Sequence, residues 1–203
     1  MAQFVFHPSQ HCGIYGHSIF EAITTVREAI VYTECTRASM FILSIVVKEA
    51  FDNISHEYLF QVLQSYGFSK QTHRCIGQMY KSATPSVFIN GYRTRKFPIN
   101  CSVRQECPLS MQRFATSLDF LFRVLECPLV GISIGRNSLK SAVIAYADDV
   151  TLLLTSPSEI PKLQAIFDQY RKASGANINV QKSKVMAVRM RDTRVNIMGT
   201  PYH

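Results

Sequence analysis

Two adjacent carboxylates, Asp148 and Asp149, stand between two apolar segments of the sequence, residues 141–146 and 150–155. Both segments are short enough to be strands, so the pair is expected at the tip of a β-hairpin. Two like charges in such a turn repel each other unless a cation neutralises them, and carboxylate oxygens are preferred ligands of Mg²⁺. The pattern therefore indicates a magnesium site, although Asp-Asp pairs also occur in turns that contact only water.

The segments that must position this pair have the periodicities of a mixed domain. Residues 40–47 form a continuous, largely β-branched run, which is typical of a strand buried on both faces. Asn90-Gly91 is a turn signal between strands expected at 86–89 and 96–99, and a final strand is expected after Gly175. Helical spacing recurs at residues 18–33, 55–66, 71–81, 110–125 and 156–173. This order predicts an α+β fold with a mostly antiparallel sheet backed by helices.

The chain has a basic charge balance. Its 203 residues contain 22 Lys and Arg against 14 Asp and Glu, which gives a net charge of +8. Such an excess favours a polyanionic partner such as nucleic acid, although a basic protein without that partner has the same composition. The length and the 47% hydrophobic content suit one ordinary domain or a piece of a larger one.

The cysteines and apolar runs predict an intracellular protein, in the cytoplasm or the nucleus, with no membrane partner. The six cysteines have no C-x-x-C spacing, no signal-like segment opens the chain, and no apolar run could span a bilayer. His7, His11 and Cys12 are close enough in sequence to form part of a zinc site, but a fourth ligand and a fixed spacing are missing. A mobile N-terminal tail is therefore the preferred interpretation of this segment.

Five segments together resemble the reverse transcriptases of non-LTR (LINE-type) retrotransposons. Tyr146-Ala147-Asp148-Asp149 resembles the catalytic hairpin of the palm in these enzymes. The others follow the family's order: GHSIFE at 16–21 in the fingers, KEAFDNISH at 48–56, SVRQECPLS at 102–110, and SGANINVQKS at 174–183. The resemblance runs from about residue 7 to residue 188, and five motifs in order are far more specific than any one of them.

The resemblance implies an RNA-directed DNA polymerase with two Mg²⁺ ions, an RNA template, a DNA primer and deoxynucleotide substrates. It implies a partial fingers segment with an N-terminal tail at 1–36, a palm at 37–190 and a tail at 191–203, with the thumb absent. The implied site residues are Asp148 and Asp149 as metal ligands, Lys182 as a proton donor to pyrophosphate, Phe51 as the gate against a ribose hydroxyl, and Arg104 and Gln105 as template and nucleotide contacts. Phe51 could equally be a core residue, and Lys182 a solvated or phosphate-contacting lysine.

Five positions depart from the family pattern. The first palm strand should end in an aspartate that bridges both metal ions, and that position is Val46. His17, Glu106 and Met111 stand where the family has arginine, glycine and proline. Glu49 stands where the family has the lysine of its KAFD motif. Without the bridging carboxylate, one Mg²⁺ ion or none is expected to bind, so the resemblance implies a catalytically impaired domain.

Three hypotheses follow. The first is an impaired reverse transcriptase domain, and the second is a non-catalytic module that binds RNA or an RNA–DNA hybrid. Val46 argues against catalysis but does not affect a basic groove. The expected nucleic-acid contacts of this groove are Arg93, Arg95, Lys96 and Lys184. Four further basic residues are expected on the same face: Arg104, Lys182, Arg189 and Arg191. The third hypothesis is a retrotransposon relic without selected function.

Overall fold

The helices and strands alternate along the chain much as the sequence predicts. The computed structural model describes residues 6–48, 53–81, 84–97, 101, 108–134, 139–179 and 181–189. The helices in these ranges are α1 (Ile19–Thr36), α2 (His56–Ser65), α3 (Lys70–Lys81), α4 (Pro108–Glu126) and α5 (Ile160–Ser174), and a 3₁₀ turn at Pro157–Glu159 precedes the last. The strands are β1 (Met40–Lys48), β2 (Phe88–Ile89), β3 (Tyr92–Arg93), β4 (Ile132–Ile134), β5 (Leu139–Ser141), β6 (Val143–Tyr146), β7 (Asp149–Leu154), β8 (Asn177–Ile178) and β9 (Lys184–Val188).

The main sheet is built around β1. On one side β1 pairs with β7, which pairs in turn with β6. On the other side β1 pairs first with β9, from Met40 to Ser44, and then with β8, at Val47 and Lys48. All of these pairings are antiparallel, so the predicted α+β fold with a mostly antiparallel sheet is confirmed.

Helices cover both faces of this sheet. Because side chains alternate along a strand, Phe41 and Leu43 face one way and Met40 and Ile42 the other. The first face packs against α2, α4 and α5 in the larger core, and the second packs against α1 in a smaller one. This explains the continuous apolar run of β1, which is buried on both faces as predicted. The second face continues to Val46, which is half-buried.

Two details of the predicted strands are wrong. The Asn90-Gly91 turn joins β2 directly to β3, so the return strand begins at Tyr92 rather than at Lys96. Lys96 and Phe97 are not in a strand, and residues 98 and 99 lie outside the described residues. Both turn residues have positive φ, 48° and 86°, as a two-residue hairpin requires, and such a turn pairs the residues that flank it. The ribbon of β4 and β5 was not predicted, because its strands are only three residues long.

None of the helices among the described residues is long and apolar enough to cross a membrane.

Candidate active site

The two aspartates lie at the tip of the β6–β7 hairpin, as predicted. Tyr146 pairs with Asp149, so Ala147 and Asp148 form the two-residue turn between the strands. Ala147 has a φ of 54°, a left-handed conformation that costs a residue with a Cβ about 1–2 kcal/mol. The surrounding structure must therefore hold this turn in place.

Val46 lies directly beside the aspartates. It is the partner of Asp149 in the pairing of β1 with β7, and the N–H of Val47 donates to the carbonyl oxygen of Asp148 at 3.3 Å. Residues opposite each other in an antiparallel pair have side chains on the same face, with Cβ atoms about 5 Å apart. The hairpin tip thus lies beside the end of β1, as the resemblance requires if an aspartate at position 46 is to bridge both metal ions. An isopropyl group therefore occupies the place where a carboxylate would meet Asp149.

The segment after α5 is attached to the backbone of Val46. The N–H of Asn179 donates to the carbonyl oxygen of Val46 at 2.8 Å, and the N–H of Val46 donates to Oγ of Ser183 at 3.4 Å. Within this turn the Lys182 N–H donates to Oδ1 of Asn179 at 3.2 Å. A segment far along the chain is thereby fixed at the end of β1, which brings Lys182 close to Asp149.

The electrostatic environment of Asp149 favours a bound cation. Burial raises the pKa of its carboxyl group, and the charge of Asp148 raises it further. The positive charge of Lys182 acts in the opposite direction but does not cancel these effects. A metal ion at the hairpin would remove the repulsion between the two carboxylates, and their oxygen donors suit one hard cation.

Residues 7–12 are not part of a mobile tail, so the prediction is wrong for this described part of the N-terminal segment. His7 and Gln10 are 6% and 1% exposed, and the segment pairs with the edge of β6. The Ala145 N–H donates to the carbonyl oxygen of Ser9 at 2.7 Å, and the His11 N–H donates to that of Ala145 at 2.8 Å. The open edge of a hairpin strand offers backbone hydrogen-bond partners, and these bonds compensate for the entropy that the segment loses when it becomes ordered. A local sequence pattern does not reveal such partners.

Gln10 connects this segment to the hairpin turn, although no pattern in the sequence indicates this role. Its Oε1 accepts the Ala147 N–H at 3.1 Å, and its Nε2 donates to the Ala147 carbonyl oxygen at 3.4 Å. The same Oε1 also accepts the Cys12 N–H at 3.0 Å. One buried carboxamide thus satisfies both backbone groups of the residue with positive φ. Only the fold brings them together, because the two residues are 137 positions apart.

Replacing Gln10 should loosen the hairpin tip. In Gln10→Ala the partly buried N–H and carbonyl groups of Ala147 lose their partner, which is expected to lower the unfolding free energy by about 1–2 kcal/mol. Amide hydrogen exchange at Ala147 should become faster, and denaturant unfolding measures the stability. The matched control is Gln61→Ala, because Gln61 is exposed on α2. Unchanged exchange at Ala147 in Gln10→Ala would show that the carboxamide does not hold the turn.

Most of the other residues that the family motifs point to lie outside the part of the chain that the structure describes. Phe51, Arg104 and Gln105 lie outside the described residues, as do Glu49, Glu106 and Arg191. Met111 lies on α4, and its side chain is not described.

The basic residues do not all lie near the aspartates. Lys184 pairs with Ser44, two residues before Val46, and alternation along β1 and β9 places both side chains on the face of Val46. Arg93, Arg95 and Lys96 are exposed on or just after the β2–β3 hairpin. Arg189 follows the opposite end of β9, where its guanidinium donates to the carbonyl oxygen of Glu34. The template–primer face predicted to include both Arg189 and Lys184 stays a prediction.

Sequence comparison identifies the class of protein. The model of the reverse transcriptase (RNA-dependent DNA polymerase) family matches residues 4–202, and the chain belongs to that family. It is a reverse transcriptase domain of the non-LTR retrotransposon type, as its motifs predicted. Reverse transcriptases are in general metal-dependent, which agrees with the paired carboxylates at the hairpin.

The relatives are retrotransposon proteins much longer than this chain. The Transposon TX1 uncharacterized 149 kDa protein of Xenopus laevis is 32% identical over 88% of the chain, which covers 14% of that protein. A Retrovirus-related Pol polyprotein from type-1 retrotransposable element R2 of Popillia japonica is 31% identical over 75% of the chain, which covers 21% of that protein. The chain thus spans about a fifth or less of the length of these relatives.

Solved structures share the fold at low sequence identity. Telomerase from Candida tropicalis, solved in complex with a TWJ fragment of telomeric RNA, superposes with a TM-score of 0.65 at 16% identity. The match covers 93% of this chain and 31% of the telomerase chain. The apo telomerase of the same organism, truncated from its C-terminal domain, gives a TM-score of 0.58 at 13% identity, with 92% of this chain and 37% of that chain covered. These similarities establish the reverse transcriptase fold.

Proposed function

We propose that this domain binds an RNA template and a DNA primer but adds deoxynucleotides at a greatly reduced rate. The observation that carries this proposal is the pairing of Val46 with Asp149. In the non-LTR family an aspartate is expected at this position, and here an aliphatic side chain lies beside the two remaining carboxylates. The chain therefore offers Asp148 and Asp149 for at most one Mg²⁺ ion.

The chemistry explains why this loss is severe. In two-metal nucleotidyl transfer the ions neutralise charge that develops on the attacking and leaving oxygens. Val46 provides no oxygen donor, so the ligands at the hairpin cannot be shared between two ions. If about 4 kcal/mol of transition-state stabilisation is lost, the rate falls roughly a thousandfold. Glu106, in place of the family's glycine, adds a negative side chain where the nucleotide phosphates are expected.

The other parts of the site are assigned from the family motifs and from charge. Lys182 is the basic group proposed for catalysis, and its charge acts on the Asp149 carboxylate. Lys184 extends the positive charge along the same face of the sheet. Phe51, Arg104 and Gln105 would contact the nucleotide and template, as their motif positions suggest. Arg93, Arg95 and Lys96 would contact phosphates of the duplex.

Primer extension tests the proposed impairment. With a homopolymer RNA template, an annealed DNA primer and Mg²⁺ or Mn²⁺, the unaltered 203-residue chain is expected to extend primer at least about a thousandfold more slowly than a related domain with the complete set of carboxylates. Asp148→Ala provides the background, because it removes one of the two remaining carboxylates. Rapid templated synthesis by the unaltered chain that disappears in Asp148→Ala would overturn the proposal.

Nucleic-acid binding should survive the loss of catalysis. Affinity for an RNA–DNA hybrid is expected to be weak, independent of sequence and steeply dependent on salt, because it rests on contacts to phosphates. The Lys182→Ala, Lys184→Ala double variant should reduce the slope of log affinity against log salt by about 2. Fluorescence anisotropy with a labelled hybrid at a series of salt concentrations measures both quantities.

The matched control for this experiment is Lys162→Ala. Lys162 is exposed near the start of α5, which follows the end of β7 opposite the hairpin tip. Its removal should leave the salt slope unchanged. Equal slopes for the double variant and the unaltered chain would show that Lys182 and Lys184 do not contact the phosphates.

A further inference from the structure

Two histidines and a glutamate converge between the N-terminal segment and the start of α1. The His11 Nδ1 is 3.4 Å from Oε2 of Glu21, and the His17 Nδ1 is 3.7 Å from the same oxygen. One possible ligand atom from each of the three side chains lies within 4.8 Å of the others. We call these three residues the His-Glu cluster. They are separate from the pair Asp148 and Asp149 at the hairpin tip.

The backbone holds each member of the cluster in place. His11 is fixed by the edge pairing with Ala145, to whose carbonyl oxygen it donates at 2.8 Å. A turn through Gly16, whose φ is 84°, returns the chain so that the His17 N–H donates to the Ile14 carbonyl oxygen at 3.2 Å. Glu21 lies in the first turn of α1, where its Oε2 accepts the Ser18 N–H at 3.3 Å. The three side chains therefore converge without a large conformational change.

The distances suit a tetrahedral transition-metal ion. Zinc binds histidine nitrogen at about 2.0–2.1 Å and carboxylate oxygen at about 2.0–2.2 Å, which separates neighbouring tetrahedral ligands by about 3.3–3.5 Å. The two separations to Glu21 are close to that range, so small side-chain rotations would complete the geometry. His17 and Glu21 are exposed, which gives an ion access and leaves room for water as a fourth ligand. Imidazole and carboxylate donors select zinc over magnesium, which prefers oxygen ligands throughout.

We propose that His11, His17 and Glu21 bind one Zn²⁺ ion, with water as the fourth ligand. The ion would join the N-terminal segment to the start of α1. Because the same segment holds Gln10 against Ala147, the ion would also stabilise the arrangement around the hairpin. His7 and Cys12 are not part of this site, since His7 contacts Glu126 and Cys12 lies beside Tyr146. The zinc site considered from sequence spacing is thus replaced by a different set of ligands.

Metal titration of the full 203-residue chain tests this proposal. Calorimetry with Zn²⁺ should give one ion per chain at the cluster, and Co²⁺ in the same site should show the strong visible absorption of a tetrahedral complex. His17→Gln and Glu21→Gln should each weaken Zn²⁺ binding at least about tenfold, because mutation of residues that only contact a metal's ligands already lowers metal affinity by that factor. Zn²⁺ should also raise the melting temperature of the unaltered chain, because it binds the folded state.

Two control variants make the result specific. His73→Gln removes a histidine on α3, and Asp149→Ala removes a carboxylate of the hairpin pair; neither should change Zn²⁺ affinity at the cluster. Absence of Zn²⁺ binding by the unaltered chain would overturn the proposal. So would binding that His17→Gln and Glu21→Gln leave unchanged, or binding that Asp149→Ala abolishes. None of these outcomes depends on polymerase activity.

Discussion

Val46→Asp is expected to bind Mn²⁺ at the hairpin at least about tenfold more tightly than the unaltered chain, because affinity for such ions rises with the number of charged ligands. The new carboxylate would lie opposite Asp149 in the sheet, where the two Cβ atoms are about 5 Å apart. It would therefore reach an ion held by Asp148 and Asp149. Electron paramagnetic resonance of free Mn²⁺ in a titration measures the affinity.

The matched control is Val46→Asn, which has nearly the same shape as the aspartate variant without its charge. It should show little gain in affinity. Without metal, Val46→Asp should also melt at a lower temperature than Val46→Asn, because three carboxylates then repel one another. Equal Mn²⁺ affinity in the two variants would show that position 46 does not contribute to the metal site.

Tighter metal binding alone is not expected to restore synthesis. Glu106 remains in place of the family's glycine, and nucleotide placement would still be disturbed. The complete rescue combines Val46→Asp with Glu106→Gly in a longer protein that has a related fingers segment and thumb.

Asp119→Ala is expected to lower the unfolding free energy by about 3–5 kcal/mol, because it removes a buried carboxylate that accepts three hydrogen bonds, although its partner Arg123 is half exposed. The side chain of Asp119 is 1% exposed, and one of its oxygens accepts Nε of Arg123 at 2.6 Å. It also accepts the His7 backbone N–H and the Tyr66 hydroxyl. All three donors would lose their partner together. Denaturant unfolding followed by circular dichroism measures the loss.

Asp168→Ala is the matched control for that variant. Asp168 pairs with Arg171 at 3.4 Å, but both side chains are more than half exposed, so less than about 1 kcal/mol is expected. A second measurement follows the Tyr66 hydroxyl. Burial and then the hydrogen bond to Asp119 raise its pKa to about 12, so Asp119→Ala should lower this pKa in a spectroscopic titration. Equal losses of stability in the two variants would show that the buried contacts of Asp119 contribute no more than a surface pair.

Anchoring at Asp119 also affects the candidate active site. His7 begins the segment that pairs with β6 and carries Gln10 to the hairpin turn. When Asp119 is lost, this segment loses an attachment to α4. Hydrogen exchange at Ala147 should then increase in Asp119→Ala as it does in Gln10→Ala.

The sequence by itself determined the local structure and most of the hairpin site. Periodicity predicted the helices, β1 and the β6–β7 hairpin, because each depends on side chains that are near one another in the chain. The resemblance to the family identified Val46 as the position of the missing aspartate. Because that aspartate should bridge the metal ions held by Asp148 and Asp149, the resemblance also implied that these distant parts of the chain meet.

The tertiary structure alone decided how the N-terminal segment and its polar residues are used. Gln10, His7 and His11 have no periodic pattern that distinguishes a mobile tail from an ordered edge segment. Their positions depend on the open edge of β6 and on buried acceptors from α4. Local propensity does not encode such partners, because the backbone groups at a strand edge can pair with many different segments. A segment becomes ordered there when its hydrogen bonds and packing compensate for the conformational entropy that it loses. The hydrogen bonds between the Gln10 carboxamide and the Ala147 backbone, and the His-Glu cluster, could therefore be identified only from the folded structure.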